Sequence, residues 1–117
     1  MTGIINGNLI SVRQGDSFTI NLELNNKCKP MDLTGYTGQM QVRQGDSGLL
    51  VFSCIAEPVD VVHGKIAFVL TPAMTSADVG DYVCDMQITS PAGEVHTIYP
   101  ADVNRVATFK ITAQVTL

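Results

Sequence analysis

The stretch Asp78-Val79-Gly80-Asp81-Tyr82-Val83-Cys84-Asp85-Met86-Gln87-Ile88 decides how this sequence folds. Tyr82, Cys84, Met86 and Ile88 recur at every second position, with Val83, Asp85 and Gln87 between them. A period of two places one row on each face of an extended chain, so the segment reads as a half-buried strand. Gly80 ahead of it and Pro91-Ala92-Gly93 behind it supply turns at both ends.

The same alternation recurs on either side. Phe18, Ile20, Leu22 and Leu24 alternate with Thr19, Asn21, Glu23 and Asn25, and Asn25 to Pro30 reads as a turn. Met40 and Val42 alternate with Gln39, Gln41 and Arg43. Leu49 to Ile55 is a more continuous apolar run, and Pro58 to Gly64 reads as loop, with its valines extending a strand edge. Ile66, Phe68 and Leu70 form another row, Glu94–Ile98 returns from the Pro91 turn, and Phe109, Ile111, Ala113, Val115 and Leu117 form the last. Thr71 to Asp78 is the one helix-like stretch, with Thr71 as N-cap and Pro72 at the first helical position. Seven or eight short strands without a covering helix predict an all-β antiparallel sandwich.

Composition agrees. The 117 residues include 13 Val, 9 Ile and 11 Thr, side chains that favour pleated surfaces. Length predicts a single domain over residues 1–117. Charged residues are 15% of the chain and the formal net charge is -4, which excludes a disordered tail and argues against nucleic-acid binding. No apolar run reaches a membrane span. The first residues lack a basic region and long apolar run, so the chain is expected to fold in cytoplasm with reduced thiols.

The string from Asp78 through Gly80 and Tyr82 to Cys84 resembles the entry to strand F of an immunoglobulin domain. The resemblance implies that Tyr82 returns its hydroxyl to upstream backbone and that Cys84 faces the core. It departs from antibody domains at two points. The Phe18–Leu24 row holds no cysteine, and the chain has no tryptophan. A disulfide-free domain is therefore expected; a Cys54–Cys84 bridge stays open but is not indicated by spacing.

A second resemblance covers more of the chain. Arg13-Gln14-Gly15-Asp16-Ser17-Phe18, then Pro30-Met31-Asp32-Leu33-Thr34-Gly35-Tyr36, then Gly64 to Thr71 and Gly80 to Ile88, follow the order seen in phage tail and baseplate proteins. The pattern is similar to the immunoglobulin-like domain at the N-terminus of baseplate upper proteins. Each string also has a local reading. Gly15-Asp16 turns the chain into a strand, and Asp32-Leu33-Thr34-Gly35 buries Leu33 while Asp32 and Thr34 satisfy turn amides. Val12 to Ser17 recurs identically at Val42 to Ser47, which reads as two strand ends running into Gly-Asp turns.

Nothing in the sequence points to catalysis: there is no nucleophile elbow, P-loop or zinc-protease helix. No cofactor and no metal are expected. Cys28, Cys54 and Cys84 are widely spaced, His63 and His96 stand alone, and Asp78, Asp81 and Asp85 read as a solvated edge rather than a calcium loop.

The resemblance implies a virion structural protein, assembled in host cytoplasm, that binds other tail, baseplate or neck proteins. Copies related by symmetry, or a homo-oligomer, are expected, with no nucleic-acid or membrane partner. The alternative is a receptor- or glycan-binding module, for which Tyr99 beside Pro100 is the aromatic candidate. Val69, Val83, Tyr99 and Arg105 are the expected contact residues, and the segment from Tyr99 to Arg105 is either a contact loop or a sheet-crossing connection.

Overall fold

A computed structural model describes residues 3–45, 47–100 and 107–113. In chain order the strands are β1 (Gly3–Asn6), β2 (Leu9–Arg13), β3 (Phe18–Glu23), β4 (Asn25–Asn26), β5 (Lys29–Pro30) and β6 (Thr37–Arg43). They continue with β7 (Leu50–Ile55), β8 (Glu57–Asp60), β9 (Lys65–Leu70), β10 (Gly80–Thr89), β11 (Val95–Tyr99) and β12 (Ala107–Thr112). Two short 3-10 turns, Val61–His63 and Met74–Ser76, are the only helical pieces among the described residues.

The strands form a sandwich. One sheet runs β1-β2-β12-β10-β6-β7, and β11 also pairs with β10. The other runs β3-β9-β8, and β4-β5 is a separate small hairpin. All pairings are antiparallel except β2 with β12. This is an immunoglobulin-like arrangement: β10, β6 and β7 stand where strands F, C and C′ stand, and β3, β9 and β8 where B, E and D stand. Both sheets contribute alternate residues to one core. Ile10, Val12, Met40, Val42, Met86, Phe109 and Ile111 from the larger sheet meet Phe18, Ile20, Phe68 and Leu70 from the smaller. Phe52 and Phe109 pack edge to face, with ring centroids 5.6 Å apart.

The immunoglobulin features hold at the residue level. Tyr82 is buried, and its hydroxyl donates to the Asp78 carbonyl at 2.5 Å. Burial, with the Asp78 charge beside it, pushes the Tyr82 phenol above its ordinary range. Cys84 faces the core, where burial pushes its thiol up to about 12. Cys54 and Cys84 are both free. They lie on strands flanking β6 in one sheet, with Cys54 opposite Met40 and Cys84 opposite Val42. Two strand spacings put their backbones roughly 10 Å apart, beyond the reach of a disulfide.

Several local expectations are corrected. Pro58 to Gly64 is loop only in part: Val59 does extend a strand edge, since Glu57–Asp60 pairs with β9, but Val61 and Val62 fall in the 3-10 turn Val61–His63 instead. Proline is tolerated there because one side of an edge strand needs no amide donor. Thr71 to Asp78 forms only the 3-10 turn Met74–Ser76, preceded by Ala73 rather than capped by Thr71. Three helical residues are below the length at which an α-helix sustains itself. The turn expected at Asn25 to Pro30 is present: β4 and β5 form a hairpin whose tip residues, Lys27 (φ 52°) and Cys28 (φ 66°), both take the left-handed conformation.

Ala113 is exposed beyond the end of β12, because the strand has left its partner by then; Val115 and Leu117 lie outside the described residues. β11 and β12 both pair along the same edge of β10, at Met86–Thr89 and Gly80–Cys84. β11 and β12 thus belong to one sheet, and the Tyr99–Pro100 peptide is cis; residues 101–106 lie outside the described residues.

Candidate docking surface

Two turn-rich strings, Gln14 to Ser17 and Asp32 to Gly35, lie at the two ends of the sandwich. At one end, Gly15 (φ 82°) turns the chain between β2 and β3, and the Asp16 amide donates to the Arg13 carbonyl at 3.1 Å. Thr75, which is fully buried, donates its hydroxyl to the Asp16 carbonyl at 2.7 Å. Its own carbonyl accepts the Gly15 amide, and Gln14 Nε2 reaches the Ala77 carbonyl. Thus the Gly-Asp turn works through its backbone, and Thr75 is the residue that pins it. Sequence reasoning passed over Thr75, since a threonine in a polar segment carries no sign of burial.

At the other end, Leu33 is buried, its amide donating to the Val61 carbonyl at 2.8 Å. The Asp32 carboxylate accepts both the Thr34 amide (2.9 Å) and the Thr34 hydroxyl (2.6 Å), which hold its pKa below the usual value. Thr34 therefore satisfies Asp32 rather than an amide. Gly35 (φ 80°) lies against Pro91: a Cβ there would stand 2.8 Å from the proline ring. Gly64 (φ 74°) is tighter still, with a Cβ falling 2.3 Å from the Leu24 carbonyl oxygen. Only glycine lets these strands approach so closely.

The repeated hexapeptide turns in two different ways. In the second copy Gly45 has no positive φ; Gly48 (φ 71°) takes that role, and its amide donates to the Gln44 carbonyl. Identical residues turn differently because their partners differ, Thr75 in one case and the β6–β7 hairpin in the other.

The outer face of the larger sheet is the broad surface left over. Register places Ile55, Gln39, Gln87 and Thr97 in one row across four strands. Leu50, Arg43, Val83, Thr108 and Leu9 form another row. Ser53, Gln41 and Asp85 lie between them. Charge here is sparse and partly absorbed. Arg43 donates to Gln41 Oε1 and to the Gly48 carbonyl, and Asp81 stands opposite Lys110. Apolar side chains are open to solvent on this face, with Ile55 72% exposed, Val95 57% and Leu50 50%.

Of the expected contact residues, Val83 lies half-buried within this face. Val69 is outward on the smaller sheet, opposite Thr19, and so belongs to a different surface. Tyr99 is half-buried against the core and its hydroxyl donates to the Gly7 carbonyl at 2.8 Å, so its ring is not a free platform. Arg105 lies outside the described residues. Asp78, Asp81 and Asp85 are not gathered: among the described residues no three His, Cys, Asp or Glu side chains group as metal ligands.

A second feature lies at the Leu33 end. An open crevice of about 100 Å³ lies there, with Leu33, Ile66 and Ile88 among its apolar lining residues and Thr37 among its polar ones.

Comparison with known proteins places these observations. The chain is similar in structure to CopC from Methylosinus trichosporium OB3b, at 13% identity, 92% coverage of this chain, 86% of that chain and a TM-score of 0.50. Murine CRIg covers 97% of each chain at 14% identity, with a TM-score of 0.41. The likeness to CopC concerns the fold alone. No protein of curated function matches in sequence. The BppU N-terminal domain family, that of baseplate upper proteins, matches residues 3–100. A match over that span makes the chain a member of the BppU N-terminal domain family, and hence a phage baseplate structural protein and virion component.

Proposed function

We propose that the chain is a single non-enzymatic domain that docks onto other virion proteins through the outer face of its larger sheet, in several symmetric copies assembled in the host cytoplasm. The observation that carries this reading is the row of Ile55, Gln39, Gln87 and Thr97, an uncharged strip with an open isoleucine at its edge. Interface centres are depleted of charge, whereas free surfaces are normally rich in Lys and Glu. Val83 sits two residues from Asp85 on the same face and forms part of the contact.

The test is Gln39→Arg in the phage itself. Gln39 is exposed, so the substitution leaves stability within about 0.5 kcal/mol. Docking through this face predicts particles that lack the protein, seen by electron microscopy and by protein gel. Normal incorporation of the folded variant overturns the reading.

A further inference from the structure

β7 ends the larger sheet, with β6 on one side and no strand on the other among the described residues. The Ala56 amide donates to the Gly38 carbonyl at 2.9 Å, which fixes the alternation along this edge. Ala56, Cys54 and Phe52 direct their backbone groups at β6, opposite Gly38, Met40 and Val42. Ser53 and Ile55 fall between them, so their amides and carbonyls point away from the sheet. Val51 is the extra residue of a register shift between Phe52 and Leu50, and it has no partner on β6 either. The Cys54 thiol, a weak donor, lies 3.8 Å from the Ile55 carbonyl and closer, at 3.5 Å, to that of Val69.

An open edge is normally blunted by charge or proline. β8, which ends the smaller sheet, carries Glu57, Pro58 and Asp60. From Leu49 to Ala56 there is no charged residue and no proline. Ser53 and Ile55 are both exposed. The middle of β7 is thus a strand edge ready to pair.

We propose that the partner of this edge is β7 of a second copy, antiparallel about a two-fold axis at Ser53. The free backbone groups select that register. Ser53 meets the second copy's Ser53, Ile55 meets its Val51, and Phe52 lies beside its Cys54. Sliding one way would use Leu49, whose carbonyl already accepts the Gln44 amide at 2.9 Å. Sliding the other way sets Pro58 against Leu50, where a proline cannot donate.

A second copy fits because the edge is complementary to itself. No charge opposes a like charge, since Glu57 falls opposite Leu49. The pairing uses both edges at once, so it closes at two copies rather than growing into a fibre. The row of Ile55, Gln39, Gln87 and Thr97 then runs on across the axis to Val51, and two copies present one continuous docking face. The inference rests on the docking reading above for the presence of several copies, and names how two of them meet.

The test is a charge pair at the axis. Position 53 faces itself there, with Cα atoms about 5.5 Å apart in a hydrogen-bonded antiparallel pair. Ser53→Lys and Ser53→Glu each set like charges side by side, and each is expected to weaken association about tenfold or more. An equimolar mixture of the two variants sets Lys against Glu and restores it. Sedimentation equilibrium of the full chain, up to millimolar concentration and at low salt, reads all three cases. Amide hydrogen exchange of the native chain reads the register: Ser53 and Ile55 slow as concentration rises. Circular dichroism checks that each variant is folded.

A native chain that stays monomeric at millimolar concentration overturns the proposal; loss of the Ser53→Lys variant from particles would then assign the edge to a strand of another virion protein. Dimers indifferent to Ser53→Lys, or a mixture of the two variants that stays monomeric, overturn it as well. These measurements use isolated protein, whereas Gln39→Arg reads incorporation into the phage, so the two readings fall separately.

Discussion

Gly64→Ala separates steric closeness from backbone strain. Gly64 and Gly48 have nearly the same φ, 74° and 71°. An alanine at either position carries a left-handed penalty of about 1 kcal/mol. Around Gly48 no atom of the described residues beyond its chain neighbours lies within 4 Å of the new Cβ. Around Gly64 the Leu24 carbonyl oxygen would stand 2.3 Å away and the Met31 carbonyl oxygen 2.9 Å away. Those backbones cannot yield freely. The Leu24 amide donates to the Gly64 carbonyl at 2.8 Å, and the Met31 amide to the Leu24 carbonyl at 2.9 Å. Relieving the clash loosens both hydrogen bonds, each contributing about 1 kcal/mol. Gly64→Ala is thus expected to cost about 3 kcal/mol and Gly48→Ala about 1 kcal/mol. For a chain of this length the gap corresponds to roughly 8 °C in Tm. Urea unfolding followed by far-ultraviolet circular dichroism measures both, with unchanged slopes to license the comparison. Losses equal within error would refute the argument that Gly64 is required by close approach.

Other outcomes follow from the core. Tyr82→Phe leaves the Asp78 carbonyl without its hydroxyl donor and is expected to cost about 1–2 kcal/mol in the same assay. Cys28, exposed at the hairpin tip, should react with a thiol reagent in the native protein, whereas Cys54 and Cys84 should react only on unfolding. Equal labelling of all three under native conditions would contradict the buried placement. Alkaline pH should destabilise the fold. Cys84 keeps its proton up to about 12 when folded but loses it near 9.0 when unfolded. Its contribution is therefore intact below pH 9 and is lost progressively between pH 9 and 12, by at most about 4 kcal/mol. Cys84→Ala should flatten that part of the pH–stability curve.

The sequence by itself determined the strands with one wet face. The rows at Phe18, Met40, Ile66 and Tyr82 were legible because a period of two survives whatever the strand pairs with. The tyrosine corner and the glycine at position 35 were legible too, because short turns impose residue types locally. Tertiary structure decided the rest. Glu57–Asp60 becomes a strand only because β9 offers a partner, and the Val12–Ser17 repeat turns in two ways because its copies meet different neighbours. The tie from the Tyr99 hydroxyl to the Gly7 carbonyl, 92 residues away in the chain, was likewise invisible to local pattern. The candidate surface was the least legible part. Its rows join residues from strands far apart in sequence, and hydrogen-bond register between strands, which no local pattern encodes, is what sets them side by side.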